Sequence, residues 1–319
     1  MACGLRSSSR MLVALVLIAA GAAKVHGQAR VSPSRRDSLA APAAPFHALS
    51  VGSYVLSRLD DNVNRDPVGV SSVGVIGGGT VRLASGAVRP LLQLEYDAAV
   101  HRYTATTRFN RVSQRLRTTL SRRVVRWWTL ELVTEGALKG SSEDRDVSNQ
   151  LQLVPTTEFR LGSARRLRLG AAQRWRRFPL DSMQDATNRY VTAEFRHRFM
   201  DGAEFETEAR IERNLAVGDR FDYRRSSYSM SYDMPLGRAV RVEFGMQYRQ
   251  QRYSGRFAEV DDRDVPRVDH RLQPAAALQV RLGASELNVS YEPEWRRSND
   301  PDKAISQNLV MLGVRRRWF

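Results

Sequence analysis

Downstream of residue 27 the chain carries four histidines, His47, His101, His197 and His270. Histidine is the usual general base near neutral pH, so these are the first places to look for catalysis. A hydrolase would hold one of them against a carboxylate and beside a nucleophile. His101 with Asp97 and His270 with Asp269 are the pairs that could form such dyads, but no serine motif singles out a nucleophile. The expectation is that the chain is not an enzyme. Metal chemistry fares no better. In LDDNVNRD the oxygens of Asp60, Asn62, Asn64 and Asp66 recur at every second position, like the first half of a calcium loop. That loop needs Gly at its sixth position and Glu at its twelfth, where Arg65 and Ser71 stand. The only cysteine is Cys3, so beyond the N-terminal segment there is no thiol, disulfide or cysteine metal site. No metal and no cofactor is expected.

The chemistry that the chain does offer is ionic. In AEFETEARIER, Ala203, Phe205, Thr207, Ala209 and Ile211 share one parity, and Glu204, Glu206, Glu208, Arg210 and Glu212 share the other. The stretch before it sets Val191, Ala193, Phe195, His197 and Phe199 against Glu194, Arg196 and Arg198. If Met200, Asp201 and Gly202 form a three-residue turn with Gly202 left-handed, then Arg198 faces Glu204, Arg196 faces Glu206 and Glu194 faces Glu208. The same exercise near Leu236 and Gly237 sets Asp233 opposite Arg241. Arg174, in a row with Arg166, Arg168 and Arg176, and Glu292, in a row with Glu286 and Glu294, lie on polar parities of their own runs. Ladders of Glu against Arg imply a wet wall, because in a dry one each unpaired ion would cost several kcal/mol. The candidate site is therefore a charged lining: Glu194, Arg196, Arg198, Glu204, Glu206, Glu208, Arg210, Arg174, Arg241 and Glu292.

The elements that must carry such a wall are strands. Alternation with period two recurs along the chain, for example Leu92 to His101, Val240 to Arg249 and Glu286 to Trp295, and no helical period of comparable length competes with it. About fourteen strands result (roughly 12 to 16), among them 47 to 58, 189 to 200, 203 to 214, 239 to 252, 269 to 282 and 307 to 319. Most could cross a bilayer at a tilt, which takes about 9 to 11 residues. Long polar connections (LDDNVNRDPV, LKGSSEDRDV, PLDSMQDAT, SGRFAEVDDRDVPRV, SNDPDKAI) alternate with tight ones (ASGAV, GSAR, MDG, PLGR, LGAS). That is the rhythm of a barrel with short turns on its periplasmic side and longer loops outside. Aromatics gather at both predicted ends: Trp127, Trp128, Phe199, Trp318 and Phe319 at one, Tyr103, Trp175, Phe178, Tyr253 and Trp295 at the other. Two such belts suit two membrane interfaces. The fold expected is all-β, a transmembrane antiparallel up-and-down barrel over 46–319, with Phe205, Ala209, Ile211 and His197 facing lipid. An even strand number puts both termini in the periplasm.

Arg6 and Arg10, the apolar run MLVALVLIAAGAA and the small residues up to Gly27 have the layout of a secretory signal peptide, expected over 1–27. Cys3 precedes the apolar run and so is not placed as a lipoprotein cysteine. Residues 28–45, rich in Pro, Ala and Ser, read as a flexible lead-in. The net charge is +16, and losing the cations Arg6, Arg10 and Lys24 leaves +13. The positive charge is nearly all arginine, dispersed along alternating strands, and export removes the usual nucleic-acid partners, so no nucleic acid is expected. Acidic residues fall in the long loops (Asp60, Asp61, Asp66, Glu143, Asp144, Asp146, Asp181, Asp185, Glu259, Asp261, Asp262, Asp264, Asp300, Asp302), while Arg122, Arg123, Arg126, Arg165, Arg238 and Arg315 to Arg317 fall at the other end. Acidic loops could hold divalent cations that bridge to lipopolysaccharide phosphates, although plain solvation also accounts for them.

The chain closes on NLVMLGVRRRWF. This resembles the terminal strand of Gram-negative outer-membrane proteins, whose final Phe and alternating apolar residues are read by the barrel-assembly machinery. The resemblance makes Trp318 and Phe319 the assembly signal. Val310, Leu312, Val314 and Trp318 share one parity and Phe319 falls on the other, so either a bulge lies in Arg315 to Arg317 or Trp318 faces lipid with Arg316 snorkelling. A second stretch, SVGSYVLSRLDDNVNRD, is similar to the first strand and loop of several barrel families, including a family of porin-type outer-membrane proteins and the barrel domain of surface lipoprotein assembly modifiers. The matching residues are Asp60, Asp61, Asn62, Val63, Asn64 and Arg65. The assembly modifiers also carry a helical repeat domain before the barrel, for which this chain has no room. The resemblance implies either a porin-like channel for small polar or anionic solutes or, as the alternative, a secretion barrel handing a protein or glycan to the surface. The partners expected are outer-membrane lipid, lipopolysaccharide and the assembly machinery, with the barrel acting as a monomer.

Overall fold

The computed structural model describes residues 48–63, 69–85, 91–105, 107–140, 147–260 and 262–318. The expected signal peptide and lead-in, His47, Asn64, Arg65, Asp66, Glu143, Asp144, Asp146, Asp261 and Phe319 lie outside the described residues.

Fourteen strands follow one another along the chain: β1 (Ala48–Asp60), β2 (Ser72–Ala84), β3 (Leu91–Tyr103), β4 (Arg111–Val125), β5 (Trp128–Gly140), β6 (Asn149–Arg160), β7 (Arg165–Arg177), β8 (Ala186–Arg198), β9 (Glu204–Ala216), β10 (Tyr223–Leu236), β11 (Val240–Val260), β12 (Arg263–Leu282), β13 (Ser285–Ser298) and β14 (Ile305–Arg317). Each pairs antiparallel with its neighbours in sequence, and β14 pairs with β1, so the sheet closes into a barrel. A closed sheet leaves no unpaired edge. A strand of 13 residues is about 43 Å long and rises about 33 Å at the usual barrel tilt, enough for a hydrocarbon core of about 30 Å.

The alternation sorts into two faces. On β9, Glu212 is 1% exposed while its neighbour Ile211 is 63% exposed. Leu138 on β5, Val191 on β8 and Phe244 on β11 are likewise turned outward, and large apolar side chains are exposed around the outer surface on every strand. A single apolar outer face of this extent is the mark of a barrel made for lipid.

The turn between β8 and β9 forms as the sequence implies. The Phe199 N–H donates to Ala203 O (2.9 Å), enclosing Met200, Asp201 and Gly202, and Gly202 takes the left-handed conformation at φ 85°. The register that follows sets Arg198 opposite Glu204, Arg196 opposite Glu206 and Glu194 opposite Glu208.

The next tight turn corrects an expectation. β10 runs on to Leu236, which pairs with Val240, so Asp233 lies opposite Glu243 and Arg241 lies opposite Pro235. Alternation fixes which face a residue occupies, yet sliding the pairing by two keeps every face, so parity alone could not choose between the registers. Arg241 still reaches Asp233 diagonally, at 2.6 Å.

A second correction concerns SGRFAEVDDRDVPRV, expected as a loop. Most of it is strand: β11 and β12 continue past a register shift between Arg252 and Phe257 to a tight turn closed by the Val260–Arg263 pair, with Asp262 at φ 58°. Two-stranded pairing in solvent needs no apolar face, which is why a charged stretch could form it. The hairpin leans on the neighbouring loop, where Arg256 Nε donates to Arg220 O at 2.7 Å.

The seam between first and last strand is held at both ends. At the loop end Asp61 accepts from the backbone N–H of Asn308 (2.5 Å) and from its side chain (2.7 Å). There too Asp60 accepts from Gln307 (2.5 Å) and Arg58 (2.6 Å), and Asn62 donates to Ser306 O (3.3 Å). At the opposite end, the Trp318 N–H donates to Val51 O (3.0 Å) and its indole N–H donates to Ser53 (3.0 Å). Pairing runs without a shift up to Gly52–Arg317, so there is no bulge in Arg315 to Arg317. Trp318 faces outward at 51% exposure with the Arg316 guanidinium 4.4 Å from its ring centre, which is the snorkelling arrangement.

Candidate functional site

The ten candidate residues come from five stretches of wall: Arg174 on β7, Glu194, Arg196 and Arg198 on β8, Glu204, Glu206, Glu208 and Arg210 on β9, Arg241 on β11 and Glu292 on β13. All lie on the parity opposite to the exposed apolar face.

Near the tight-turn end of β8 and β9 one arginine serves three carboxylates. Arg196 lies 3.4 Å from Glu194, 3.3 Å from Glu204 and 2.5 Å from Glu206, while Arg198 reaches Glu204 at 3.2 Å. Glu194 and Glu208 face each other directly, and like charges so placed repel. Arg168 on β7 is opposite Glu194 but makes its ion pair with Glu131 on β5.

Nearer the loop end the same wall holds a closed polar network. Glu212 receives Arg174 (3.0 Å), Asn188 (2.9 Å) and the Tyr223 hydroxyl (3.0 Å) on one oxygen and Arg210 on the other. Asn188 also donates to Asn214 (2.7 Å), which in turn receives Arg176 (2.8 Å). Glu212, Asn188 and Asn214 are each at most 1% exposed. The Arg210 guanidinium stacks over Tyr190 at 3.6 Å. Sequence reading placed Arg174 and Arg210 on this wall but missed Asn188, Asn214 and Tyr223. The available signal was parity: Asn214 shares that of Glu212 and Arg210 on β9, Asn188 that of Glu194 and Arg196 on β8, and Tyr223 that of Arg225 and Asp233 on β10.

Across β10 to β13 several arginines are held by neutral amides. Arg225 donates twice to Gln251 (2.9 and 2.6 Å) and Arg249 donates to Gln247 (3.0 Å). Carboxylates hold others: Arg241 with Asp233, Arg271 with Glu294 (3.1 Å), and Arg267 with Asp269 (2.6 Å). Glu292 is buried opposite Leu309 and stands apart from the β8–β9 cluster. An amide neutralises no charge, so Arg249 keeps its own, whereas Arg225 also lies 3.8 Å from Glu212, and the inward carboxylates Glu243, Glu286 and Glu292 bring the two signs on these strands close to balance.

One sector of the interior is dry. Leu56 on β1, Ile76 on β2, Ala99 on β3 and Leu309 and Met311 on β14 form a buried apolar cluster with Tyr54 against it. The Tyr54 ring lies over Gly78, where a Cβ would come within 2.7 Å of it and 2.4 Å of the Ala98 carbonyl, so only glycine fits. Its hydroxyl donates to Asp97 at 2.9 Å. This sector went unread; its one trace in the sequence is the continuous apolar run Leu309 to Leu312, since a strand with an apolar cluster inside and the apolar outer face on its other side need not alternate.

The histidine dyads do not form. Asp97 is held by Tyr54 and Thr80, and His101 contacts Ser113 at 3.1 Å. Asp269 points inward to Arg267 and Ser298, while its neighbour His270 points outward and meets Tyr248 at 2.8 Å. His197 is on the outward face, edge-on to Phe199 at 4.5 Å. The motif Asp60-Asp61-Asn62 is taken up by the seam.

No protein-family model matches the chain, and no curated protein matches it. Solved structures do. An anion-selective porin from Comamonas acidovorans is 10% identical, with a TM-score of 0.51 over 87% of this chain and 100% of that one. OmpT, an outer membrane protein of Vibrio cholerae in its trimer form, is 10% identical, with a TM-score of 0.50 over 86% of this chain and 100% of that one. The chain has the fold of an outer-membrane β-barrel.

Proposed function

We propose that the protein is a channel of the bacterial outer membrane, passing small polar or anionic solutes through a charged lumen. The observation that carries this reading is the inner wall of β7 to β13, where ionic side chains line one continuous inward face and Arg176 and Arg249 are held by neutral amides. Such a wall needs water beside it and favours anions over cations. In this reading a single barrel suffices and acts without a cofactor or a catalytic centre. The tight turns and both termini lie in the periplasm, the long loops lie outside, and the assembly machinery reads Trp318 and Phe319.

The test is current through planar bilayers. The purified protein should conduct without any partner and show a reversal potential in a salt gradient that favours anions. Replacing Glu194 and Glu208 together by Gln should strengthen that preference, while Gln at the outward neighbours Phe195 and Thr207 should alter stability and leave selectivity alone. A folded, inserted and silent barrel would overturn the channel and favour the secretion barrel.

A further inference from the structure

The outer face carries a feature that neither a lumen nor a lipid belt needs. Arg189 on β8 is opposite Arg213 on β9, Arg213 is opposite Arg224 on β10, and Arg224 is opposite Arg252 on β11. All four are exposed and on the outward parity, alongside Val191, Ile211 and Tyr228. Four adjacent strands span about 15 Å at the usual strand spacing. Like charges directly opposite one another are destabilising. Yet the outward parity of β7 to β10 holds no carboxylate, and among the described residues none of the four arginines has an ion-pair partner. Arg189 and Arg213 sit three residues from the loop end of their strands, about 10 Å along the strand and less along the barrel axis, from where a guanidinium can snorkel to the headgroups.

Directly toward the middle of the barrel from this row lies a groove of about 670 Å³, whose lining includes Pro155, Ala171, Val191 and Ile211 together with Arg189, Arg213 and Arg224. Pro155 has no N–H to give the ladder, and the β6–β7 pairing skips from Leu153–Gln173 to Thr156–Gly170. A short side chain at Ala171 leaves the dent unfilled. Cationic row and apolar groove are thus continuous.

We infer that this is a binding site for a phosphorylated lipid of the leaflet at the loop end, with its phosphate on the Arg189–Arg213–Arg224–Arg252 row and an acyl chain in the groove over Ala171. Guanidinium groups match phosphate oxygens bidentately, and a headgroup phosphate supplies the charge the row lacks. The inference rests on the membrane reading proposed above. It replaces the cation bridge from acidic loops by a direct contact to phosphate.

The test uses the full chain in phosphatidylcholine bilayers containing diphosphorylated lipid A or the same lipid after phosphatase treatment. Lipid retained through purification is then measured by native mass spectrometry. The phosphorylated form should be retained at least about tenfold better, or about 1.4 kcal/mol. R213Q with R224Q should remove the difference, whereas R102Q with R297Q, outward arginines away from the row, should keep it. A171F should lower retention with all four arginines in place. Folding of each variant is checked by heat-modifiable gel mobility. Equal retention of the dephosphorylated lipid, displacement by millimolar inorganic phosphate, or no effect of A171F would overturn the inference. A chain that never enters bilayers would instead overturn the membrane reading.

Discussion

Glu212 shows what a single side chain does in this wall. Removing it leaves Arg174, Arg210 and the Asn188 amide without their common acceptor, and Arg225, 3.8 Å away, without a nearby anion. Glu212→Ala should therefore lower stability by about 3 kcal/mol, as breaking a buried pair does, and Glu212→Gln by less. Urea titration of the folded protein in detergent measures both, and an unchanged midpoint for the Ala variant would contradict the network. The sequence made the parity of Glu212 legible, because its neighbours alternate so strictly. The partners were not legible, because Arg174 reaches it from two strands away and that geometry depends on register and tilt. Parity could also have removed one dyad at once. Asp269 and His270 are adjacent on a strand, and adjacent strand residues point to opposite faces.

Between elements the forces are mostly backbone pairing, and the side chains decide where pairing stops. The Asp60–Asp61–Asn62 stretch, read from the sequence as a family-like motif, clasps β1 to β14. Asp61→Ala should cost about 1–3 kcal/mol by leaving Asn308 without its acceptor and should raise the unfolding rate more than a substitution in a loop. Deleting Trp318 and Phe319 should cut folded yield while synthesis and export persist, and normal folded levels would contradict this. The β11–β12 hairpin offers a sharper case. A Cβ on Gly255 would come within 2.4 Å of the Asp219 carbonyl oxygen. Gly255→Ala should thus undock the hairpin and make it more sensitive to added protease, with the barrel band on a gel unchanged. The hairpin itself was not foreseen, because its sequence lacks the apolar parity by which the other strands announce themselves.

For the molecule as a whole, closure leaves no strand with a free edge from which unfolding can start. Loss of heat-modifiable mobility and the change in tryptophan fluorescence should coincide in one urea transition, and separated midpoints would show that part of the wall opens first. The closed antiparallel barrel and its fourteen strands were readable from alternation and loop rhythm, since both follow from strand geometry. The dry sector around Leu56 was not, because it arises where glycines let side chains of neighbouring strands overlap. The strand order has a kinetic meaning as well. Every pairing joins consecutive strands except β1 with β14, so the whole chain must be spanned for that contact alone. Its loop-closure entropy falls on the final step, and the seam should set the folding rate. Joining the present ends by a linker and cutting at Met200–Gly202 would move that step to β8 and β9. The last event in folding would then be the meeting of Arg196 with Glu204 and Glu206, and a rate that barely depends on ionic strength in the native chain should become strongly dependent on it in the permuted one.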